Sequence, residues 1–436
     1  MWLLVFLLAS FFTVKAKELT LDESLRLALE NSPLIKSAKR ELRAQELEVK
    51  AIRGALLPRM RLEENFTRTD VPAYAFMNRL NQERVASQDF DPARLNNPSS
   101  INNFETKLIL EVPIWLGGKV QSAKRMAEQE YKAVSLERKR REEEVIRQVY
   151  YAYVDAVLAK EVIRVSQQAV EEAKEHYRLA ERMHGVGIAL LSEVLRAQVY
   201  LSKAEENLER AKRDYQIAKK GLEVAMGVSL GEFEVRELGE CPEVKLEGIR
   251  EKATKRRDIR AMEERLKTLQ EAYRFTLSDN LPQVSAFAQY FLHSKDYPLG
   301  SDGKGYMVGL SLSWSFDLGL TTLRRAEANL ERRAGLEERI KLMKDMAVFE
   351  VERAHSEYKK AMAMLVSAEN RIRASKEVLR VMELRYKNGL ARMVDILDAQ
   401  TELDKARLER LQAVNACHKA YVDLLFSAGV TEEVGR

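Results

Sequence analysis

Proline and long apolar runs are both scarce in this sequence, and each scarcity excludes a class of protein. Only 9 of the 436 residues are proline, while 32% are charged, which suits long helices better than a compact α/β enzyme. After the N-terminus, no stretch is long and apolar enough for a transmembrane helix. The net charge of +5 is small beside 72 basic and 67 acidic residues. Because these charges are interspersed, they indicate solvated helix faces and not a nucleic-acid-binding patch.

Signatures of enzyme chemistry are also missing. The five histidines show no metal-ligand spacing; they are His176, His184, His293, His355 and His418. The sequence contains no glycine-rich phosphate loop, no nucleophile elbow and no Cys-His arrangement. The sequence therefore predicts a protein that is not an enzyme, with no cofactor, no metal and no nucleic-acid partner.

Cysteine is limited to Cys241 and Cys417. An exported protein is permitted a disulfide, but spacing alone does not establish one. Two unrelated small core residues remain the alternative.

The N-terminus supports export. Residues 1–16 contain an apolar run from Trp2 to Phe12, followed by Val14-Lys15-Ala16, which fits a small-residue cleavage site. This predicts a secretory signal peptide that is too short to span a bilayer.

Residues 306–316 alternate in the manner of a β-strand. Every second residue is apolar, and four of the five residues between them are small; the apolar ones are Tyr306, Val308, Leu310, Leu312, Trp314 and Phe316. Because successive strand side chains point to opposite faces, one face is apolar and the other mostly small and polar. This is typical of a membrane β-barrel strand. A half-buried strand of a soluble sheet is the alternative.

The rest of the chain is predicted to be helical around four strands. The strands are expected at about 60–70, 105–116, 283–293 and 305–317. A loop is expected from the end of the first strand to about Asn103.

Thr20 and Glu23 predict a capping box at the first helix, and Pro33 suits the first turn of the second helix, which is expected to run to about Leu57 and to stop at Pro58. Long stretches with helical periodicity, separated by a short glycine-containing turn, predict antiparallel helical hairpins over 119–226 and 320–426.

This order of elements occurs twice. Gly118 and Gly319 are 201 residues apart, and Gly187 and Gly389 are 202 apart. Pro58 and Pro282 are 224 apart, which predicts an insertion of 23 residues in the first strand-to-strand loop. The chain therefore divides into a signal peptide, a first repeat, a linker, a second repeat and a tail: 1–16, 17–230, 231–248, 249–430 and 431–436.

Four strands cannot close a barrel, and open edges are not tolerated in lipid. Several chains must then share one barrel, with eight strands in a dimer and twelve in a trimer. Trp115 and Trp314 end the second strand of each pair, which favours an interfacial aromatic girdle over the alternative of simple buried tryptophans.

The two hairpin tips, residues 177–198 and 384–400, occur at the repeat offset and resemble those of the TolC-type outer-membrane efflux proteins. The resemblance covers essentially the whole mature chain. It implies a mostly α fold with a membrane β portion, in which a homotrimer forms a twelve-stranded β-barrel and a periplasmic α-helical barrel. It also implies a passive duct in the outer membrane that extends into the periplasm and docks to a periplasmic adaptor and an inner-membrane pump.

The same resemblance assigns roles to residues of the tips. A carboxylate constriction is implied at Asp395 and Asp398, with Glu193 at the equivalent place in the first tip, and gate contacts at Tyr386 and Arg392. Arg392 lies one residue away from the family's position. The implied adaptor-docking residues are Gly185, Gly187, Leu190, Gly389 and Leu390.

A competing hypothesis is an exported coiled-coil scaffold or adaptor whose strands form a small soluble domain. Barrel-type alternation and the terminal tryptophans favour the channel. The sequence does not identify the exported substrate, nor whether the tip rests open or closed.

Overall fold

The computed structural model describes residues 17–244 and 248–433. The predicted signal peptide, the last part of the predicted linker and the end of the predicted tail lie outside the described residues. Two compact units make up the chain. One contains the residues up to Glu41, Ser135–Ala261 and the residues from Ile340 onward; the other contains Leu42–Val134 and Met262–Arg339.

Helices dominate the described chain. They are α1 (Leu21–Asn31), α2 (Pro33–Arg53), α3 (Pro72–Asn81), α4 (Pro92–Asn96), α5 (Lys119–Gly185), α6 (Leu191–Met226), α7 (Ile249–Thr254), α8 (Arg257–Leu277), α9 (Thr321–Lys387) and α10 (Met393–Ala428). Short 3₁₀ helices cover Gly54–Leu56, Ser87–Phe90, Ser278–Asn280 and Thr431–Glu433. The strands are β1 (Lys17–Leu19), β2 (Arg59–Thr69), β3 (Ile101–Leu116), β4 (Phe233–Val235), β5 (Gln283–Ser294) and β6 (Gly303–Ser313). No helix within the described residues combines the length and hydropathy that a bilayer crossing needs.

The element bounds repeat with a fixed offset. Helices α5 and α9 have 67 residues each, α6 and α10 have 36 each, and every bound of the second pair lies 202 residues after the first. Helices α2 and α8 have 21 residues each and are offset by 224. The insertion between β2 and β3 is therefore 22 residues, because 224 less 202 is 22. The expected value of 23 was wrong because Gly118 and Gly319 are not equivalent positions.

Local sequence signals set several helix ends. The Thr20 side chain accepts a hydrogen bond from the Glu23 amide at 3.2 Å, as the predicted capping box requires. Pro33 opens α2, where its missing amide hydrogen costs nothing. Gly227 and Gly429 end α6 and α10 in the left-handed conformation, with φ of 71° and 73°.

The first unit has a core that includes a small parallel sheet. Strand β1 pairs with β4, with Leu19 opposite Val235. Leu19, Phe233 and Val235 are buried against Tyr153 and Leu222 of the long helices. The Tyr153 hydroxyl donates to the Leu19 carbonyl at 3.0 Å and to the Arg236 carbonyl at 2.8 Å. The predicted linker is therefore partly ordered as a strand.

A disulfide joins Cys241, just after this strand, to Cys417 of α10, with a Cα–Cα distance of 6.0 Å. This resolves the alternatives that the sequence left open. The predicted linker is thereby fastened covalently to the last helix.

The second unit contains a four-stranded antiparallel sheet in the order β2-β3-β5-β6. The register pairs Leu62 with Leu108, Leu108 with Tyr290, and Tyr290 with Tyr306. Directly paired residues point to the same face, so most of the apolar residues of the four strands share one face, whereas Ile109, Phe287 and Phe291 point to the other. This apolar face is exposed to solvent; the side chain of Leu310, for example, is 74% exposed.

A β-bulge changes the position of Trp115. The register of β3 against β5 shifts between Pro113 and Trp115, so that Trp115 lies opposite Val284. Val284 is paired with Leu312 of the apolar face. Without the extra residue, Trp115 would point to the other face, since side chains alternate.

Two expectations about the sheet were wrong. The strand predicted over 305–317 ends at Ser313, which pairs with Gln283, because Pro282 has no amide hydrogen to continue the ladder. The loop expected up to Asn103 contains α3 and α4, and β3 already begins at Ile101. Polar contacts of buried side chains hold the β2–β3 connection in place, and local sequence patterns do not reveal these contacts.

Candidate functional site

Two tight turns form the hairpin tips, one between α5 and α6 and one between α9 and α10. In the first, the Ile188 amide donates to the Met183 carbonyl at 2.9 Å; in the second, the Leu390 amide donates to the Arg385 carbonyl at 2.8 Å. Gly187 and Gly389 adopt φ of 78° and 70°, which L side chains rarely adopt. The turns therefore have the same geometry at the repeat offset. Gly185, one of the implied docking residues, is the last residue of α5.

A shared apolar core holds the two tips together. It joins residues of all four long helices, and its buried members include Ala180, Val194, Leu379, Met393, Ile396 and Leu403. Met393 and Ile396 are fully buried at the start of α10. Because such cores are close-packed, the side chains that flank them have fixed positions.

Tyr386 and Glu193 connect the second tip to the first. The Tyr386 side chain is 3% exposed, and its hydroxyl donates to the Glu193 carboxylate at 3.5 Å. The same carboxylate accepts from the Met393 amide at 3.4 Å, at the N-terminus of α10, where an anion is favoured. Burial, together with the negative charge and hydrogen bond of Glu193, raises the pKa of Tyr386 to about 12. Glu193 is thus a bridging residue between hairpins.

Asp395 and Asp398 lie apart from that contact. They line an open groove of about 670 Å³ between α9 and α10, together with Glu402, one turn further along α10. Arg385 lies on the same groove and supplies a positive charge. The structure therefore gathers three carboxylates on one surface, as the spacing of the two aspartates predicted, but Glu193 and Tyr386 do not line it. The sequence analysis did not include Glu402, although its position seven residues after Asp395 places it on the same face of α10.

Arg392 has a local role. Its backbone amide donates to Asp395 at 2.8 Å, and its guanidinium lies 3.8 Å from the same carboxylate. Its side chain is 77% exposed. Asp395 therefore caps α10, and Arg392 pairs within its own turn.

The expected docking residues are exposed at the turns. Leu190 is 71% and Leu390 is 69% exposed, and Val186 and Ile188 extend the same apolar tip. Gly187 and Gly389 have open space around the position of a Cβ. These two positions therefore favour glycine because of their positive φ, and not because a side chain would clash with neighbouring atoms.

A polar network above the tips was missed by sequence reasoning. Buried Gln400 donates from Nε2 to Glu172 at 2.5 Å and to Asp404 at 2.9 Å, and its Oε1 accepts from His176 Nε2 at 3.2 Å. Arg407 binds Glu172 through two hydrogen bonds of 2.7 and 2.9 Å. Burial raises the pKa of Asp404, against the hydrogen bond that the Tyr200 hydroxyl donates to it. The network joins α5, α6 and α10, and its only sequence signal is polar residues at buried helical positions.

The two tryptophans lie at the ends of strands near the helices. Trp314 follows the end of β6, packs against Phe316 in a tilted arrangement with 4.9 Å between ring centroids, and donates from Nε1 to the Asn280 carbonyl at 3.1 Å. Trp115 lies on the apolar face, as described above. Both are partly exposed, which an interfacial position allows. Among the described residues, no group of three or more His, Cys, Asp or Glu side chains is arranged to hold a metal ion.

Comparison with known proteins identifies the fold and the family. The family model described as outer membrane efflux protein matches residues 24–228 and 249–430. A structure of the CusC transmembrane channel is similar with a TM-score of 0.80 and 13% identity, covering 94% of this chain and 92% of that one. The open state of the MtrE outer membrane channel of Neisseria gonorrhoeae has a TM-score of 0.75 and 20% identity, covering 94% and 89%.

A sequence relative is outer membrane protein TolC of Vibrio cholerae. It is 29% identical over 150 residues, which are 34% of this chain and 34% of TolC. The match spans about a third of the length of that relative.

Proposed function

Because this chain belongs to the outer membrane efflux protein family, we propose that three copies of it form a passive exit channel in the outer membrane. The channel would continue into the periplasm as a helical barrel and serve a tripartite efflux or type I secretion system. It has no catalytic role in this proposal, and the pump supplies the energy.

The observation that carries this proposal is the four-stranded sheet. Strands β2 and β6 each pair on one side only within the described residues, so both edges of the sheet are open. One face is apolar and exposed along all four strands. Unpaired edges and an exposed apolar face are both unfavourable in water. Closure of three such sheets into a twelve-stranded barrel would pair every edge, and insertion into lipid would cover the apolar face.

The hairpin tips support docking to a periplasmic adaptor protein. Exposed apolar side chains are concentrated at the turns, where Val186, Ile188 and Leu190 lie in the first tip and Leu390 in the second. Patches of this kind on an exposed surface favour protein contacts. The adaptor would connect the channel to an inner-membrane pump.

The carboxylates of the groove support a cation-favouring constriction. Three copies of Asp395, Asp398 and Glu402 would place nine carboxylates around one axis, as rings of acidic side chains do in cation channels. The Tyr386–Glu193 contact would hold the two tips of one chain together at this level.

Planar-bilayer conductance tests the proposal. The full chain is expected to give discrete conductance steps that multivalent cations block from the side of the tips. In the D395A/D398A variant, a higher cation concentration should be needed for half-block, while the matched variant E205A/E206A on α6 should behave as the wild type. Inserted protein without conductance would overturn the channel, and unchanged block in D395A/D398A would remove these aspartates from the constriction.

A further inference from the structure

The loops at the far end of the sheet pack against each other. By chain connectivity, the β2–β3 and β5–β6 connections lie at the end of the sheet opposite the strand ends that lead into α5 and α9. Gln82 is buried and donates to the Asn102 carbonyl at 2.8 Å and to the Asn103 side chain at 3.0 Å. A Cβ on Gly303 would lie 2.0 Å from the Asn81 carbonyl oxygen, so the loop and the β5–β6 turn are in direct contact. The two connections at this end of the sheet are therefore packed together in a defined arrangement.

A basic cavity of about 330 Å³ lies in this structure. Four of its lining residues are cationic, two carry hydroxyls and none is acidic; they are Arg68, Arg79, Arg84, Ser99, Ser100, Ile101, Asn102 and Lys295. Such a set of donors, with no carboxylate among the lining, is suited to an anion.

Nearby carboxylates offset part of this positive charge, but none of them lines the cavity. Asp89 pairs with Arg79 at 2.6 Å, which accounts for one cation. Arg84 donates to the neutral side chain of Gln82 at 3.2 Å. Arg68 makes no side-chain hydrogen bond or ion pair with the residues that the structure describes.

Of the remaining acids nearby, Asp302 has a pKa that its hydrogen bond from the Lys295 amide lowers, and Arg84 and Lys295 are close enough for both cations to lower it further. Asp302 accepts from the Ser294 hydroxyl at 3.0 Å and from the Lys295 amide at 2.9 Å. Glu83 accepts from the Lys304 amide at 3.4 Å. Asp296 approaches the Lys295 ammonium only to 4.0 Å, and both side chains are exposed. Asp302 therefore offsets part of the charge of Arg84 and Lys295, Arg68 has no acidic partner in the described part of the chain, and the lining of the cavity itself remains cationic.

The cavity continues the apolar face of the sheet. Arg68 pairs with Asn102, two residues beyond the Phe66–Phe104 pair on the same face. The two phenylalanine rings lie 4.7 Å apart between centroids. An occupant that touches both surfaces must carry an anionic head and an apolar body.

We propose that this cavity binds the phosphate group of an outer-leaflet lipid headgroup. The guanidinium groups of Arg68 and Arg84 would bind phosphate oxygens through paired hydrogen bonds, and the Lys295 ammonium would add a point charge. The acyl chains would lie along the apolar face below Phe66. The inference rests on the proposed function, since it requires that this face lies in the membrane.

Native mass spectrometry of the full chain in mild detergent tests the inference. The probe is lipid A carrying two phosphates, compared with the same lipid after removal of its phosphates. Wild-type protein should retain the phosphorylated probe and release the dephosphorylated one. The variant R68Q/R84Q/K295Q should bind the phosphorylated probe about tenfold more weakly, because several charge-assisted hydrogen bonds are lost. Binding by the wild type should also fall as salt is raised.

The matched control is K36Q/K39Q/R40Q, which removes three exposed cations from α2 and should retain wild-type binding. Equal binding by wild type and R68Q/R84Q/K295Q would overturn the inference. Displacement of the lipid by an equal concentration of inorganic phosphate would overturn the lipid assignment and leave a free-anion site. A soluble monomer without detergent would instead refute the proposed function, whereas a detergent-bound oligomer that ignores the probe would refute this inference alone.

Discussion

Tyr386 is one of the residues through which the second tip of the chain contacts the first. Its hydroxyl is buried against the carboxylate of Glu193, so the neutral form of the phenol is favoured in the folded state. The pKa of about 12 is raised above the ordinary value of about 10. This contact therefore stabilises the fold fully below about pH 10, and its contribution is lost as the pH rises through about 12.

The Y386F variant should be less stable than the wild type at neutral pH by about 1 kcal/mol, because Glu193 loses a donor. Above about pH 10 this difference in stability should shrink, because Tyr386 loses its proton more readily in the unfolded wild type, whereas phenylalanine has no proton to lose. Thermal unfolding of both proteins from about pH 8 to about pH 12 measures this difference. A gap that stays constant with pH would contradict the role given to the hydroxyl.

The roles of single residues were partly predictable. Asp395 and Asp398 share a surface because they are three apart on one helix, which spacing alone indicates. Glu193 has the same relation to its own turn, yet its partners come from two other helices, and no local pattern specifies them. Trp115 depends on a bulge at Pro113, which alternation would not predict.

At the scale of elements, alanine substitution at two glycines should have opposite effects on stability, one through backbone strain in a turn and one through helix propensity. Gly389 has a positive φ, whereas Gly335 lies within α9 with open space around it. The G389A substitution should destabilise the protein by about 1 kcal/mol, because a Cβ is strained in the left-handed region. The G335A substitution should stabilise it by up to about 1 kcal/mol, because alanine favours a helix. Chemical denaturation measures both, and the same sign for the two would contradict the account of the turn.

The disulfide fastens the segment between the repeats to α10. Since Cys241 and Cys417 are the only cysteines, a thiol reagent should label none before reduction and two per chain after it. The C241S/C417S variant should lose about 2–4 kcal/mol of unfolding free energy, because the unfolded chain is no longer constrained. Labelling of unfolded, unreduced protein at two thiols per chain would show that the bond does not form.

Element prediction succeeded where signals are local. The capping box at Thr20 and the proline start of α2 depend on neighbouring residues only. The pairing of β1 with β4 joins segments about two hundred residues apart, and each strand is three residues long, so neither shows periodicity. The helices of the β2–β3 connection are held by buried Gln82 and Asp89, whose partners are not neighbours in sequence.

At the scale of the whole molecule, the duplication limits what one chain can be. Each repeat supplies one strand pair and one long helical hairpin, and the sheet of the complete chain still has two open edges. A single chain therefore exposes an apolar face and unpaired backbone that only other copies, or lipid, can cover. The family and fold fit this requirement.

The mass of the detergent-solubilised protein, measured by sedimentation and corrected for bound detergent, tests this account most directly. The account predicts a stable particle of three chains that leaves the membrane only with detergent. A monomer that is soluble without detergent would contradict it, because the four strands would then belong to a small soluble sheet of an exported scaffold.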